Sequence, residues 1–276
     1  MAIITVQDLI AAGAHYGTKS SLWNPAMRPY IHATHNKVHI IDLGATVRAL
    51  IQTYYYMIKL AKANKTVLFV GTKRQAKDVL RDAARSVGMP YVVERWLGGT
   101  LTNNETIRTS ISRLDEIEAE IAEPGYARLS KKKQARDTRE RRRILRNLEG
   151  VRHMTKLPDA MFVVDPSQET TAVREAVRIG IPVIALLDTD CDPALINLPI
   201  PGNDDGIRAI QAVVKVVLDG IREGRSQQVE AKADADPKAE AAAKAETAPS
   251  AEEQPAAEAD AQAAPAPAAS DTAAEA

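Results

Sequence analysis

The 276-residue chain carries 36 Lys and Arg against 36 Asp and Glu, so its formal net charge is zero. That balance joins two segments of opposite character: residues 229–276 hold three lysines and eleven carboxylates, and residues 1–228 hold 33 cations and 25 carboxylates. The single cysteine, Cys191, excludes an intrachain disulfide and a cysteine-based zinc site. Because the amino terminus does not resemble a signal peptide and no apolar run reaches about eighteen residues, we expect a soluble, cytoplasmic protein.

The first 65 residues predict a short helix, two strands and a long helix. Thr5 and Asp8 have the spacing of a helix capping pair, and Gly13 is a natural helix stop. Short apolar runs around a turn predict strands, and apolar residues at helical spacing predict an amphipathic helix. In chain order these elements are a helix through Ala12, strands at Tyr30-Ile31 and Val38–Ile41, and a helix over Thr46–Ala63.

Further along, near-continuous apolar strands alternate with helices. The predicted strands cover 65–70, 91–93, 160–164 and 182–187, and the predicted helices cover 74–87, 169–179 and about 205–222. Strands without polar alternation are buried on both faces, and strands separated by helices run parallel. We therefore expect an α/β fold with a doubly wound, mainly parallel sheet, formed by residues 1–102 and 151–228.

Residues 103–150 interrupt this alternation and predict an inserted helical hairpin. Apolar residues at helical spacing mark a first helix between Ile107 and Ile121, a turn follows at Glu123–Tyr126, and a second helix runs from about Ser130 to Leu148. Between Leu129 and Ile144 the second helix has one apolar residue, Ala135. Its outer part therefore lacks a continuous apolar seam, and we expect it to be loose until an anionic partner docks.

The tail over 229–276 contains no Leu, Ile, Met or aromatic residue. Its composition is mostly Ala, Glu, Asp and Pro, which bury too little apolar surface to offset the entropy of ordering. We expect this acidic segment to be disordered.

The second hairpin helix has the charge pattern of a polyanion-binding surface. Nine cations occur within residues 131–146, and only Asp137 and Glu140 oppose them. A solvated helix normally interleaves charges of both signs, so we favour RNA or DNA binding over a simple solvated face. The candidate phosphate ligands in this helix are Lys131, Lys132, Lys133, Arg136, Arg139, Arg141, Arg142, Arg143 and Arg146, and nearer the sheet they are Lys73, Arg74, Arg95, Asn103, Asn104 and Arg108.

The segment Glu94–Asn104 follows a predicted strand and leads into the hairpin. Its paired glycines, Gly98 and Gly99, permit a sharp turn or close approach of the backbone to a partner. Trp96 either stacks on a base or fills the base of the hairpin, and we favour the second role.

Acidic loops at the end of the sheet suggest a hard-cation site. We expect the loops that contain Asp188, Asp190, Asp192, Asp204 and Asp205 to meet where strands terminate, and Mg²⁺ or Zn²⁺ would relieve the repulsion between their carboxylates. The candidate ligands are His15, Asp188, Asp192, Asp204 and Asp205. The alternative, which we favour, makes these residues helix caps and turn formers with no cofactor required. We interpret His32, His35 and His39 as scattered surface or RNA-facing residues, and Cys191 as buried and not nucleophilic.

A nucleotide-binding enzyme is the natural rival for a doubly wound fold. The Gly71-Thr-Lys73 turn lies between a strand and a helix, yet neither G-x-G-x-x-G nor G-x-x-x-x-G-K-[ST] occurs. We therefore predict that the protein is not an enzyme. A third hypothesis makes the hairpin a coiled-coil module for docking proteins, which requires an apolar stripe that the second helix lacks.

Ordered motifs give this chain a family resemblance. The segment RWLGGTLTN at Arg95–Asn103 resembles the signature of the bacterial ribosomal protein S-two family of the small subunit. Other matching pieces, which together span residues 5 to about 225, are AGAHYG at 12–17, WNPAM at 23–27, HIIDL at 39–43, LFVGTK at 68–73, LPDAMFVVDP at 157–166, CDP at 191–193 and IPGNDD at 200–205.

The resemblance implies a flavodoxin-like α/β domain that carries a protruding coiled-coil hairpin. It also implies a structural, non-catalytic protein of the cytoplasmic ribosome that binds 16S ribosomal RNA, contacts neighbouring small-subunit proteins, and helps to retain the S-one protein. Neither a membrane nor a small-molecule substrate is implied. Three residues depart from the family pattern: Thr18 replaces a usual histidine, Asp190 a usual asparagine, and Glu149 a usual glycine.

Overall fold

The computed structural model describes residues 4–245, with side chains through residue 229 apart from residue 127. Residues up to Lys232 form one compact unit, and a second unit begins at Ala233. The helices are α1 (Val6–Ala12), α2 (Leu43–Lys62), α3 (Lys77–Ser86), α4 (Asn104–Ala122), α5 (Lys131–Leu148), α6 (Thr170–Ile179) and α7 (Ile207–Ala245). The strands are β1 (Tyr16–Lys19), β2 (Ile31–His35), β3 (Val38–Ile41), β4 (Val67–Val70), β5 (Tyr91–Val92), β6 (Ala160–Val164), β7 (Val183–Leu187) and β8 (Leu198–Pro201).

Five of these strands form the predicted parallel sheet. Their order is β5-β4-β6-β7-β8, and every neighbouring pair is parallel. When the five strands are numbered by their order in the chain, their order across the sheet is 2-1-3-4-5, which is the flavodoxin-like order. The edge strand β8 was missed because Pro199 and Pro201 argue against a strand, although prolines are tolerated at an edge.

Helices cover both faces of the sheet, as the uninterrupted apolar strands predict. Phe69 and Phe162 point to one face and pack in a buried cluster with residues of α2, α3 and α7. Leu68 and Val163 point to the other face and pack with α6 and the root of the hairpin. All residues of β4, β6 and β7 are buried, so these strands anchor two cores.

A small antiparallel sheet of order β1-β3-β2 precedes the main one. The capping box before α1 is confirmed, since the Asp8 amide donates to Thr5 Oγ1 at 3.2 Å and the Thr5 amide donates to Asp8 Oδ2 at 3.1 Å. Strand β1 was not predicted, because its residues YGTK carry no apolar alternation. It is held instead by its contacts: the Thr18 amide donates to Asp188 Oδ1 at 3.0 Å, beyond the end of β7.

The region of the predicted hairpin contains two helices, α4 and α5, joined by a turn that includes a short 3-10 helix at Tyr126–Arg128. Ile107, Leu114 and Ile117 are the buried residues of α4. In α5 the buried residues are Asp137 and Leu148. Coiled-coil packing of this pair stays a prediction, because α5 contributes so little apolar surface to the seam.

The carboxyl-terminal boundary differs from the prediction. Helix α7 continues to Ala245, so residues 229–245, which we expected to belong to a disordered tail, have a helical backbone. Ala, Glu and Lys are strong helix formers, which agrees with a helical backbone over this segment. The rest of the predicted tail lies outside the described residues. Over residues 4–245, no helix has the length and apolar character needed to cross a membrane.

Candidate nucleic-acid interface

Helix α5 begins with a strongly positive amino terminus. The Lys133 amide donates to Ser130 Oγ at 3.4 Å, which caps the helix. Lys131, Lys132 and Lys133 then occupy its first turn, where the helix dipole already carries partial positive charge. The lysine charges and the dipole therefore add, and an anion near this end gains from both.

Two cations of α5 face α4 and are bound by its carboxylates. Lys133 Nζ lies 2.9 Å from Glu120 Oε2, and Arg141 Nε lies 3.0 Å from Glu118 Oε1. Arg113 of α4 adds a longer contact of 3.8 Å to Glu140. Ion pairs thus take the place of an apolar seam between α4 and α5. Because these ion pairs are partly exposed to water, they hold the two helices together only weakly.

The other cations of α5 are exposed and form no ion pair with α4. Arg136 lies 3.5 Å from Oδ1 of the buried Asp137. Within the described part of the chain, the remaining six have no ion pair: Lys131, Lys132, Arg139, Arg142, Arg143 and Arg146. Arg136, Arg139 and Arg143 line a shallow hollow beside Glu140. Like charges left unpaired on one surface repel one another unless an external polyanion neutralises them.

The predicted ligands near the sheet divide in the same way. Arg74 and Arg95 are exposed and form no hydrogen bond or ion pair with the described residues. Arg108 is also exposed, and its Nε donates to Asn104 Oδ1 at 2.9 Å. Asn104 Nδ2 donates to the Thr100 carbonyl at 3.3 Å, and Asn103 Oδ1 accepts from Thr106 Oγ1 at 3.0 Å. The two asparagines therefore serve the local structure, whereas the arginines face solvent.

Trp96 fills the root of the hairpin. Its ring is buried in the cluster that contains Leu101, Ile107 and Leu148. Its Nε1 donates to Glu175 Oε1 at 3.1 Å. Sequence reasoning missed Glu175, although the periodicity of α6 contained a signal: Glu175 is a charged residue on the buried face with Ala172 and Ala176.

Lys73 lies inside the acidic cluster at the end of the sheet. Its ammonium is 2.6 Å from Asp204 Oδ1, 2.7 Å from Asp205 Oδ1 and 3.4 Å from Asp165 Oδ2. These residues follow β4, β8 and β6, whose carboxyl ends meet at one edge. The Lys73 side chain is 13% exposed, so its charge is used within the protein.

The cluster is rich in buried carboxylates. Burial, followed by the charge of Asp165, raises the pKa of Asp204 against the opposing effect of Lys73. Burial also raises the pKa of Asp188 to about 6, with a further contribution from the charge of Asp190. Burial and the neighbouring Asp190 likewise raise the pKa of the Cys191 thiol, which agrees with a buried, unreactive cysteine.

The five predicted metal ligands are not brought together as a set. Among the described residues, the group with suitable spacing is Asp165, Cys191 and Asp204, of which only Asp204 was predicted. Asp192 caps a short helix by accepting from the Ala194 amide at 2.9 Å, and His15 lines a separate hollow with His32. The ammonium of Lys73 supplies the positive charge beside these carboxylates that the predicted metal ion would otherwise supply. A bound metal stays a prediction.

The scattered histidines lie on the small sheet. His32 and His35 are exposed on β2, as predicted. The prediction was wrong for His39, whose ring is buried and lies 3.0 Å from Thr34 Oγ1. Within the described residues they form no group with metal-ligand spacing.

Comparison with known proteins places the chain. A model of ribosomal protein S2 matches residues 9–224. The chain belongs to the ribosomal protein S2 family. A relative from Rhodopirellula baltica, named small ribosomal subunit protein uS2, is 48% identical over 236 residues, which cover 85% of this chain and 91% of the relative. The protein of the same name from Thermus thermophilus is 48% identical over 227 residues, 82% of this chain and 89% of the relative. A third, from Coprothermobacter proteolyticus, is 46% identical and covers 82% and 84%.

Membership of the S2 family settles the class of activity. It makes the chain a structural ribosomal protein of the cytoplasm, and not an enzyme. The absence of a nucleotide-binding fingerprint in the sequence agrees with this class.

The departures from the S2 family pattern have local partners in the structure. Glu149, at the hairpin root, accepts from Arg85 Nη2 at 2.8 Å. Thr18 Oγ1 lies 2.6 Å from Thr189 Oγ1, so this threonine joins β1 to the loop after β7. Asp190 is exposed and accepts from Cys191 Sγ at 3.5 Å. The hairpin therefore re-enters the sheet beside an ion pair that a glycine would not form.

Proposed function

We propose that this S2-family protein is assembled into the small ribosomal subunit by binding small-subunit ribosomal RNA with the outward face of α5. The observation that carries the proposal is the division of the cations of α5 into two sets. Lys133 and Arg141 have carboxylate partners on α4, whereas six of the seven exposed cations have no ion pair among the described residues. Phosphate is the anion that RNA supplies in quantity, and it takes charge-assisted hydrogen bonds from arginine.

The distribution of cations favours backbone neutralisation over base reading. Lys131 and Arg146 stand at opposite ends of α5, so the charge extends over most of its eighteen residues. Arg74 and Arg95 extend the exposed charge toward the sheet. Base-specific recognition relies on a few side chains at one groove, whereas a long positive strip contacts successive phosphates. We infer shape- and charge-dependent binding with a steep dependence on salt.

Two double variants of α5 test the assignment, because each removes two charges from the same helix. Arg142→Gln with Arg143→Gln changes the outward face, and Lys133→Gln with Arg141→Gln changes the inward one. Affinity for transcribed small-subunit ribosomal RNA is measured between 50 and 200 mM salt with the full chain. The outward pair should flatten the salt slope by roughly 0.7–0.9 per lost phosphate contact, while the inward pair changes it much less.

Both double variants must first show the circular dichroism and cooperative melting of the parent protein. Equal slopes in the two variants would overturn the assignment of the outward face. A parent protein whose affinity for this RNA does not respond to salt would overturn the proposed function itself.

The family resemblance adds a partner to this proposal. We include in the proposed function the retention of the S-one protein on the small subunit. Small subunits from cells depleted of this chain should lose S-one on sedimentation at moderate salt, and adding back the purified chain should restore it. Normal S-one content in depleted subunits would remove this part of the proposal.

A further inference from the structure

The buried carboxylate of Glu175 binds the loop that leads into the hairpin. Glu175 lies on α6 and is 8% exposed. Its Oε1 accepts from Trp96 Nε1 at 3.1 Å and from the Gly99 amide at 2.8 Å. Its Oε2 accepts from the Leu101 amide at 3.1 Å and from the amide and hydroxyl of Thr102, each at 3.3 Å. All five donors come from residues 96–102.

This arrangement needs a charged acceptor. Burial alone would raise the pKa of Glu175, but the hydrogen bonds from Gly99, Trp96, Leu101 and Thr102 outweigh it and lower the pKa. A glutamine in the same place would turn an NH₂ group toward backbone N–H groups, which cannot accept from it. Buried donors without an acceptor are costly, so neither the amide nor an apolar residue replaces the carboxylate.

The loop passes this constraint directly to α4. The Asn103 amide donates to the Gly99 carbonyl at 2.8 Å, and Asn104, the first residue of α4, donates to Thr100. Gly99 itself has φ +91°, a conformation that a glycine adopts without strain. Because the hydrogen bonds continue without a break from Glu175 into the helix, the loop conformation fixes the direction in which α4 starts.

The other root of the hairpin is held by a close backbone contact. A Cβ placed on Gly150 would overlap the Tyr91 carbonyl oxygen, so the chain after α5 lies directly against β5. The end of the hairpin after α5 is therefore held by close backbone packing, and the end before α4 by the carboxylate of Glu175.

We propose that Glu175 is the positioning residue that sets the direction of the α4–α5 hairpin relative to the sheet. Its effect on RNA binding rests on the proposed function above, whereas its effect on hairpin direction does not. Glu175 contacts no RNA in this proposal and acts only through the loop at 96–102.

The direction of the hairpin can be measured without RNA. Spin labels are attached to cysteines introduced at the exposed positions Thr138 on α5 and Gln211 on α7, in a full chain that carries Cys191→Ser. Double electron–electron resonance spectroscopy then gives the distribution of distances between the two labels. Glu175→Gln should broaden or shift this distribution and weaken RNA binding at a fixed salt concentration by at least about tenfold.

Glu169→Gln is the matched control. Glu169 is also buried, but its Oε1 accepts from the amide and hydroxyl of Thr72, which follows β4 and is not part of the hairpin root. It should lower stability and leave the label distances unchanged. If Glu175 had only the general structural role of a buried glutamate, the two variants would not differ from each other in their label distances.

An unchanged distance distribution in folded Glu175→Gln protein overturns the proposal. If that variant does not fold, Trp96→Phe is scored in its place, since it removes one of the five donors and keeps an aromatic ring. Changed distances support the proposal even if the parent protein fails to bind the RNA, in which case only the proposed function is lost.

Discussion

The acidic edge of the sheet and the basic face of α5 are both dense clusters of like charge, but only one is neutralised from within. At the sheet edge, Lys73 lies within 3.4 Å of three carboxylates and is almost removed from solvent. On α5, six cations face solvent with no ion pair among the described residues. Charge density alone therefore does not identify a binding surface; the charge that the fold leaves unpaired does.

The two clusters differ in how strongly dissolved salt screens their electrostatic interactions. The contacts of Lys73 with Asp165 and Asp204 are buried and little screened by salt, whereas those on α5 lie in water and are screened within about 10 Å at 0.1 M salt. We therefore expect the first cluster to affect the stability of the sheet, and we propose that the second acts in salt-dependent association. Substitutions in each should change one property and leave the other nearly constant.

The largest effect is expected from Lys73→Met. Removing the ammonium leaves Asp165 and Asp204 buried without a counter-charge, which should lower the free energy of unfolding by about 3–5 kcal/mol. Chemical denaturation at pH 8 measures this loss. At pH 5 the loss should shrink, because Asp204, whose pKa is raised by burial, can bind a proton instead.

Arg74→Met controls for the neighbouring position. Arg74 is exposed and has no partner among the described residues, so its loss should change the free energy of unfolding by about 0.5 kcal/mol or less. Similar losses in the two variants would mean that the sheet edge is not internally neutralised by Lys73.

A smaller effect is expected from Asp190→Asn, which restores the usual residue of the family. The charge of Asp190 helps to raise the pKa of Asp188 to about 6, from 3.8. A raised carboxyl pKa gives stability that is fully present below pH 3.8 and is lost as the pH rises through about 6. The variant should lose less of this stability between pH 3.8 and pH 8, because Asp188 no longer has a charged neighbour at position 190. We therefore expect its melting temperature at pH 8 to be about 1–3 °C higher than that of the parent.

The pH dependence provides the internal control for this substitution. At pH 4 Asp188 is protonated in the folded state of both proteins, so their melting temperatures should agree more closely than at pH 8. A difference that is the same at both pH values would show that Asp190 acts through something other than the charge of Asp188.

The sheet could be predicted almost completely from the sequence, because its physical cause is local. Runs such as Leu68–Val70 and Met161–Val164 are apolar at every position, which indicates burial on both faces, and the intervening helices require parallel crossovers. Strand β8 was missed because the stability of an edge strand with two prolines comes from its neighbour β7. Strand β1 was missed because it carries no apolar alternation and depends on its neighbour β3 and on contacts with Asp188 beyond β7.

The candidate site could be predicted in part. Nine cations in α5 were visible in the sequence, but which of them face α4 depends on the register of two helices that no apolar stripe defines. Lys73 was predicted to bind phosphate because it follows a strand, and its carboxylate partners come from loops about 90 to 130 residues away. Contacts of that range depend on topology, which composition and spacing do not contain.

The smallest effect is expected in the ion pair between the hairpin helices. Arg141→Gln removes the contact with Glu118, but both side chains are partly in solvent, so hydrogen exchange of the α5 amides should accelerate by no more than about fivefold. The acceleration should fall further at 1 M salt, where screening already weakens the pair. Arg142→Gln, one residue along and facing outward, should leave exchange unchanged and weaken RNA binding instead. If the two variants exchange places, with Arg142 protecting the amides and Arg141 carrying the salt slope, then the inward and outward faces of α5 have been assigned the wrong way round.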